Sequence, residues 1–207
     1  LSVGCRTPSA SDLISRLAER LTDSVAPDVV RRFEDIDLLH NLPSNNRHDG
    51  EISPDTKKQM KKLVLDAMNN FMEDESQWDT LVGEILTEPT RLRYSYPLPL
   101  ADADPGWLAE LGIWADPKQA VKSVLSGKGS LFRAEGVSFA YSKEGSLIRL
   151  FANGECFEVR ASISSSEATI VSIINESELT AASLSDDEAI SGLLEDLVEK
   201  GLLYGSE

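Results

Sequence analysis

LIRLFANGECFEV, residues 147–159, carries the clearest local signal in the chain. Asn153-Gly154 lies between two β-prone runs, and both central residues of a type I′ turn need positive φ, which Asn and Gly tolerate best. The pair predicts a tight antiparallel hairpin. Along its first strand Ile148, Leu150 and Ala152 alternate with Arg149 and Phe151, so the two sets are expected on opposite faces.

Working upstream, SLFRA (130–134) and VSFAYS (137–142) add β signals. Before them, Asp116 is placed to cap a short helix with Pro117 at its first position, Val121, Val124 and Leu125 on its inner face and Gly127 at its end. GKGS (127–130) has the composition of a phosphate loop but not its strand-loop-helix context, and reads as a helix stop leading into a strand. Downstream, Glu167–Ile174 reads as a helix. Ser185 with Glu188 reads as a capping box for a last helix that carries Ile190, Leu193, Leu194, Leu197 and Val198 and ends at Gly201. A helix, a sheet with an exposed hairpin and two further helices make a winged-helix-like arrangement over 107–207.

The first half differs. Ser9 to about Ser24 has Leu13, Ile14, Leu17, Ala18 and Leu21 at helical spacing, with Ser9 and Asp12 as a capping box. From Pro27 to Ser53 turn-forming residues predict an irregular connection. Ser53 and Pro54 then open a helix reaching about Met72, on which Met60, Leu63, Val64, Ala67, Met68 and Phe71 form one apolar stripe that must be buried. A third helix over about 76–86 presents Trp78, Leu81, Val82, Ile85 and Leu86, and Pro89 closes it. Too much apolar face is present for three short helices to bury among themselves, which predicts a two-fold dimer through 9–86 with the Met60–Phe71 stripe as its seam. YSYPLPLADADPGW (94–107) holds three prolines and is expected to be extended. The fold class is therefore α+β, with a helical dimerisation-type bundle over 9–93, a linker at 94–106 and the winged-helix-like domain at 107–207. There is no internal repeat.

A net charge of −15 bears directly on partners. Residues 131–207 hold five basic and fourteen acidic side chains, so a duplex would be repelled despite the winged-helix pattern. Lys57, Lys58, Lys61 and Lys62 are the one basic cluster and read as a solvated helix face. DNA and anionic membrane are disfavoured, whereas a basic protein would be attracted. No stretch is apolar enough to span a bilayer, and no signal-peptide pattern opens the chain. Cys5 and Cys156 lack CxxC spacing, which fits a reducing, intracellular and cytoplasmic setting.

The chain offers no catalytic, cofactor-binding or metal-ligating constellation. His40 and His48 begin no HxD, HxE or HExxH pattern and read as loop histidines. Adjacent acids such as Asp186-Asp187 read as helix-start electrostatics, and Trp78, Trp107 and Trp114 as packing residues.

LSVGCRTPSASDLISRLAERL (1–21) remains. Val3 and Cys5 alternate with Ser2, Gly4 and Arg6 as at the end of a strand, and Pro8 stops it. This order of residues resembles the junction between the cupin barrel and the helical domain in JmjC ribosomal oxygenases, which hydroxylate arginine or histidine in ribosomal proteins. Cys5 stands where that pattern has an aromatic. LFANGECFEV (150–159) and DDEAISGLLEDLVEKGLLYG (186–205) likewise resemble the family's C-terminal winged-helix-like domain.

The resemblance implies that 1–8 is the remnant of the last cupin strand, and that the HxD and distal His holding Fe(II) beside 2-oxoglutarate are absent from this chain. It also implies an accessory role in dimerisation and substrate-face contact, with a basic ribosomal protein as partner; the alternative to a dimer is that the cupin barrel itself covers the apolar face of 9–86. Ser2, Gly4 and Arg6 border the cosubstrate pocket in that picture, against a purely structural strand as the other role. The alternative reading is a stand-alone acidic interaction module without catalysis.

Overall fold

A computed structural model describes residues 8–24, 54–89, 99–160 and 164–206. Ser2, Gly4, Arg6, the 27–53 connection with His40 and His48, and the Ser53 cap lie outside the described residues. The rest is mixed helix and sheet, as expected, with two three-stranded antiparallel sheets.

Helix α1 (Ala10–Ser24) begins on a reciprocal cap. The Ser9 N–H and hydroxyl donate to the Asp12 carboxylate at 3.0 and 2.8 Å, and the Asp12 N–H donates back to Ser9 Oγ at 3.1 Å. Helices α2 (Pro54–Glu73) and α3 (Glu75–Thr87) are separated only by Asp74, whose Oδ1 accepts the Ser76 and Gln77 N–H groups and so caps α3. The chain divides into two compact units within α3, Ser9–Leu81 and Val82–Glu207. In the first, α1 packs on α2, and Leu17, Phe71 and Leu81 are buried.

The second unit runs through a 3-10 turn (Leu100–Asp102), α4 (Pro105–Glu110) and α5 (Pro117–Leu125). Strands β1 (Ser130–Arg133), β2 (Phe139–Glu144), β3 (Leu147–Ala152) and β4 (Glu155–Arg160) follow, then α6 (Ser164–Asn175), β5 (Glu178–Leu179), α7 (Glu188–Glu199) and β6 (Leu203–Ser206). The sheets are ordered β5-β1-β6 and β2-β3-β4. One core joins Val121 and Val124 of α5, Leu194 and Leu197 of α7, Leu131 of β1 and Ile148 and Leu150 of β3.

The predicted hairpin is present: Asn153 and Gly154 have φ of 54° and 82°, and Ala152 pairs with Glu155. The α5 cap is present too, with Asp116 Oδ1 accepting the Lys118 N–H at 3.0 Å. Gly127 and Gly201 leave their helices with positive φ.

Elsewhere the structure departs from expectation. Strand β3 does not alternate between buried and exposed: Arg149 and Phe151 are as buried as Ile148, Leu150 and Ala152. At Phe151 the reason is α3. A Cβ on Gly83 would lie 2.4 Å from the Phe151 ring, so only glycine lets the helix approach this closely. Thr87 Oγ1 donates to the Gly83 carbonyl at 2.9 Å and accepts the Gly154 N–H at 3.1 Å, tying the same helix to the hairpin turn.

Other corrections are local. The stretch before Trp107 is not extended throughout: Leu100–Asp102 form a 3-10 turn, Pro105 occupies the first turn of α4, where no N–H is needed, and Asp104 caps that helix by accepting the Trp107 N–H at 3.0 Å, while Tyr94–Leu98 lie outside the described residues. The cap of α7 is Asp187 rather than Ser185, accepting the Ala189 N–H at 3.1 Å and the Ser166 hydroxyl at 2.7 Å. Ser185 instead donates its N–H to Thr169 Oγ1 at 2.8 Å. Trp107 is exposed, whereas Trp114 packs against the core.

These contacts set opposite expectations for two helical glycines. Gly83→Ala is expected to cost about 1–3 kcal/mol by forcing α3 off Phe151. Gly192→Ala on α7, with open space around its Cβ, is expected to stabilise by about 0.5–1 kcal/mol. Denaturant unfolding of the two variants checks both signs.

Candidate functional site

The α2 stripe is the predicted site that the described residues contain. Its residues do share one helix, but the chain does not bury them: Met60, Leu63 and Val64 are 50%, 42% and 57% exposed. Ala67 and Met68 are half-buried, and only Phe71 at the C-terminal end is buried. Burial thus rises along the helix towards α3. Within a single copy the stripe is therefore covered only towards its C-terminal end, with α1 packed against α2 in the same unit. Lys57, Lys58, Lys61 and Lys62 are exposed, as a solvated face requires.

The buried charge of the second unit is Arg149, with a side chain 5% exposed. Its Nη1 donates to Glu144 of β2 and its Nε to Glu158 of β4, both at 3.2 Å, so it crosses all three strands of the sheet. Burial alone lowers its pKa, but the hydrogen bonds to Glu144 and Glu158 more than offset this and hold it above its ordinary value. The guanidinium stays charged. These two carboxylates come from the strands on either side of β3, so the guanidinium links the three strands of the sheet. Lys143–Glu167 and Lys200–Glu155 are further ion pairs, both exposed.

Among the described residues no group of three or more His, Cys, Asp and Glu is arranged to hold a metal ion. Both histidines of the chain lie outside the described residues. The described donor set is carboxylates and Cys156, and it does not fit an Fe(II) site built from two His and one carboxylate. No described helix is long and apolar enough to cross a membrane.

No protein-family model matches the sequence, and no curated protein does either. Solved structures do match. The chain is similar to YcfD of Escherichia coli at 18% identity and a TM-score of 0.55, over 96% of this chain and 45% of that one. The fold is shared with YcfD. The same Escherichia coli protein, described as a ribosomal oxygenase, matches in complex with cobalt and succinic acid (18% identity, TM-score 0.56, 96% of this chain, 47% of that one). It matches again in complex with cobalt and 2-oxoglutarate (18%, 0.51, 96% and 47%). The chain therefore spans about half the length of YcfD. At such identity the likeness to YcfD concerns fold.

Because Glu144 and Glu158 are mostly exposed, the ion pairs of Arg149 contribute little and its packed stem contributes more. Arg149→Met is expected to stay within about 1 kcal/mol of the parent, and Arg149→Ala to cost about 2–3 kcal/mol. Thermal or urea unfolding of both variants separates stem from charge.

Proposed function

We propose that this chain is the accessory, non-catalytic part of an Fe(II)- and 2-oxoglutarate-dependent ribosomal-protein hydroxylase. It pairs two copies through α2 and presents the acidic, winged-helix-like second unit to a basic ribosomal protein. The observation that carries this reading is the open stripe of Met60, Leu63 and Val64 on a chain whose fold is that of YcfD.

The physical support is simple. Three large apolar side chains on consecutive turns of one helix cost free energy in water, and a second copy offers the same face about a two-fold axis. Iron chemistry in this reading belongs to a cupin barrel and its own ligands. This chain's residues supply shape, symmetry and negative charge. The partner follows from that charge: residues 131–207 are strongly acidic, and ribosomal proteins that meet RNA phosphates are basic.

Sedimentation at micromolar concentration tests the seam. The parent chain is expected to be a dimer, and Leu63→Glu or Met68→Glu a folded monomer of unchanged helicity, because burying an unpaired carboxylate costs several kcal/mol, roughly the span from micromolar to millimolar association. A parent chain that is already monomeric contradicts the dimer.

A further inference from the structure

The second unit contains a cleft of about 540 Å³ that neither the α2 seam nor the hairpin uses. Its floor is Phe132 of β1 and Tyr204 of β6, register partners whose rings stack at 5.7 Å. Alternation sends their neighbours Leu131 and Leu203 into the core, so the aromatic pair is left facing outwards. The wall is α4: Leu108 anchors it, and Trp107 and Leu111 stand at the mouth, each 51% exposed. A six-residue helix that exposes its tryptophan beside an aromatic floor is costly unless something covers it.

Charge narrows what that is. From Pro99 to Asp116, the stretch that builds the wall, there are four carboxylates (Asp102, Asp104, Glu110 and Asp116) and no lysine or arginine. Glu135 adds an exposed carboxylate to the lining itself. The cations closest in sequence are turned elsewhere: Arg133 Nη1 donates to the Ile174 carbonyl at 3.0 Å, and Lys200 pairs with Glu155 over the Phe157 ring. An anionic ligand is repelled by such a cleft, and a wholly apolar one would strip water from Glu135 without replacing it.

We propose that this cleft docks a lysine- or arginine-bearing segment of a basic protein. The side chain's aliphatic stem lies along Phe132 and Tyr204, and its charge is met by Glu135 and the face of Trp107. This names the contact surface for the basic partner and rests on the reading above only for that partner being ribosomal. Every lining residue belongs to the second unit, so the cleft and the α2 seam fail separately.

The probe is a short fluorescein-labelled peptide of alternating arginine and leucine, titrated by anisotropy against the full chain at low salt, with a glutamate-leucine peptide as its counterpart. Trp107→Ala and Glu135→Lys, both at exposed positions, are each expected to weaken binding at least about tenfold. Asp186→Lys, the same charge reversal at an exposed site outside the lining, is expected to change it less than about twofold. Leu63→Glu should leave it unchanged, whatever it does to sedimentation. Equal losses for Asp186→Lys and Glu135→Lys would mean diffuse attraction to an acidic chain and overturn the site. So would no binding of the basic peptide, equal binding of the acidic one, or indifference to Trp107→Ala.

Discussion

Much of the packing around the hairpin depends on the close approach of Gly83 to Phe151. A single missing Cβ lets α3 lie directly on the ring, and Phe151 is buried on the face of β3 that alternation would leave to water. The consequences reach beyond the pair. Arg149, on the same face as Phe151, is a buried cation bonded to Glu144 and Glu158. Thr87, one turn along α3 from Gly83, becomes the partner of the hairpin turn's own N–H. Packing, ion pairing and turn geometry are thus one linked arrangement.

The opposite situation holds on α2 and at the α4 cleft. There apolar and aromatic side chains stay open to water although the rest of the chain can bury residues completely. The proposed contacts rest on this contrast, since natural chains seldom retain contiguous apolar patches without use. Their chemistry differs: in the proposed contacts α2 offers an aliphatic stripe to its own copy, whereas the cleft offers aromatic rings and Glu135 to a cation. The fold shared with YcfD gives these surfaces a context, and function is argued from the surfaces themselves.

Much of this was legible in the sequence wherever a short-range rule decides the outcome. The Ser9–Asp12 box, the Asp116-Pro117 start and the Asn153-Gly154 turn each rest on backbone groups within four residues, and each forms as expected. What failed needed a distant partner. Nothing local marks Gly83 as the site where a helix meets Phe151. The Ser185 box lost to Asp187 because Ser166, across on α6, claims the second oxygen of that aspartate while Thr169 takes the Ser185 N–H. Nothing local marks Leu203–Ser206 as a strand, yet β1 supplies a partner and the chain becomes β6, with the Trp114 ring seated against Gly205. Trp107 reads as a packing residue because exposure, too, is a property of the assembled fold.

The central claim is that this chain supplies surfaces and not the oxidation. Succinate formed from 2-oxoglutarate by the purified chain, with Fe(II) and basic ribosomal proteins supplied, measures that directly. The account predicts no succinate above that formed without the chain, because the sequence holds only two histidines and neither begins an iron-binding pattern. Succinate produced in step with hydroxylation of a supplied protein would contradict it.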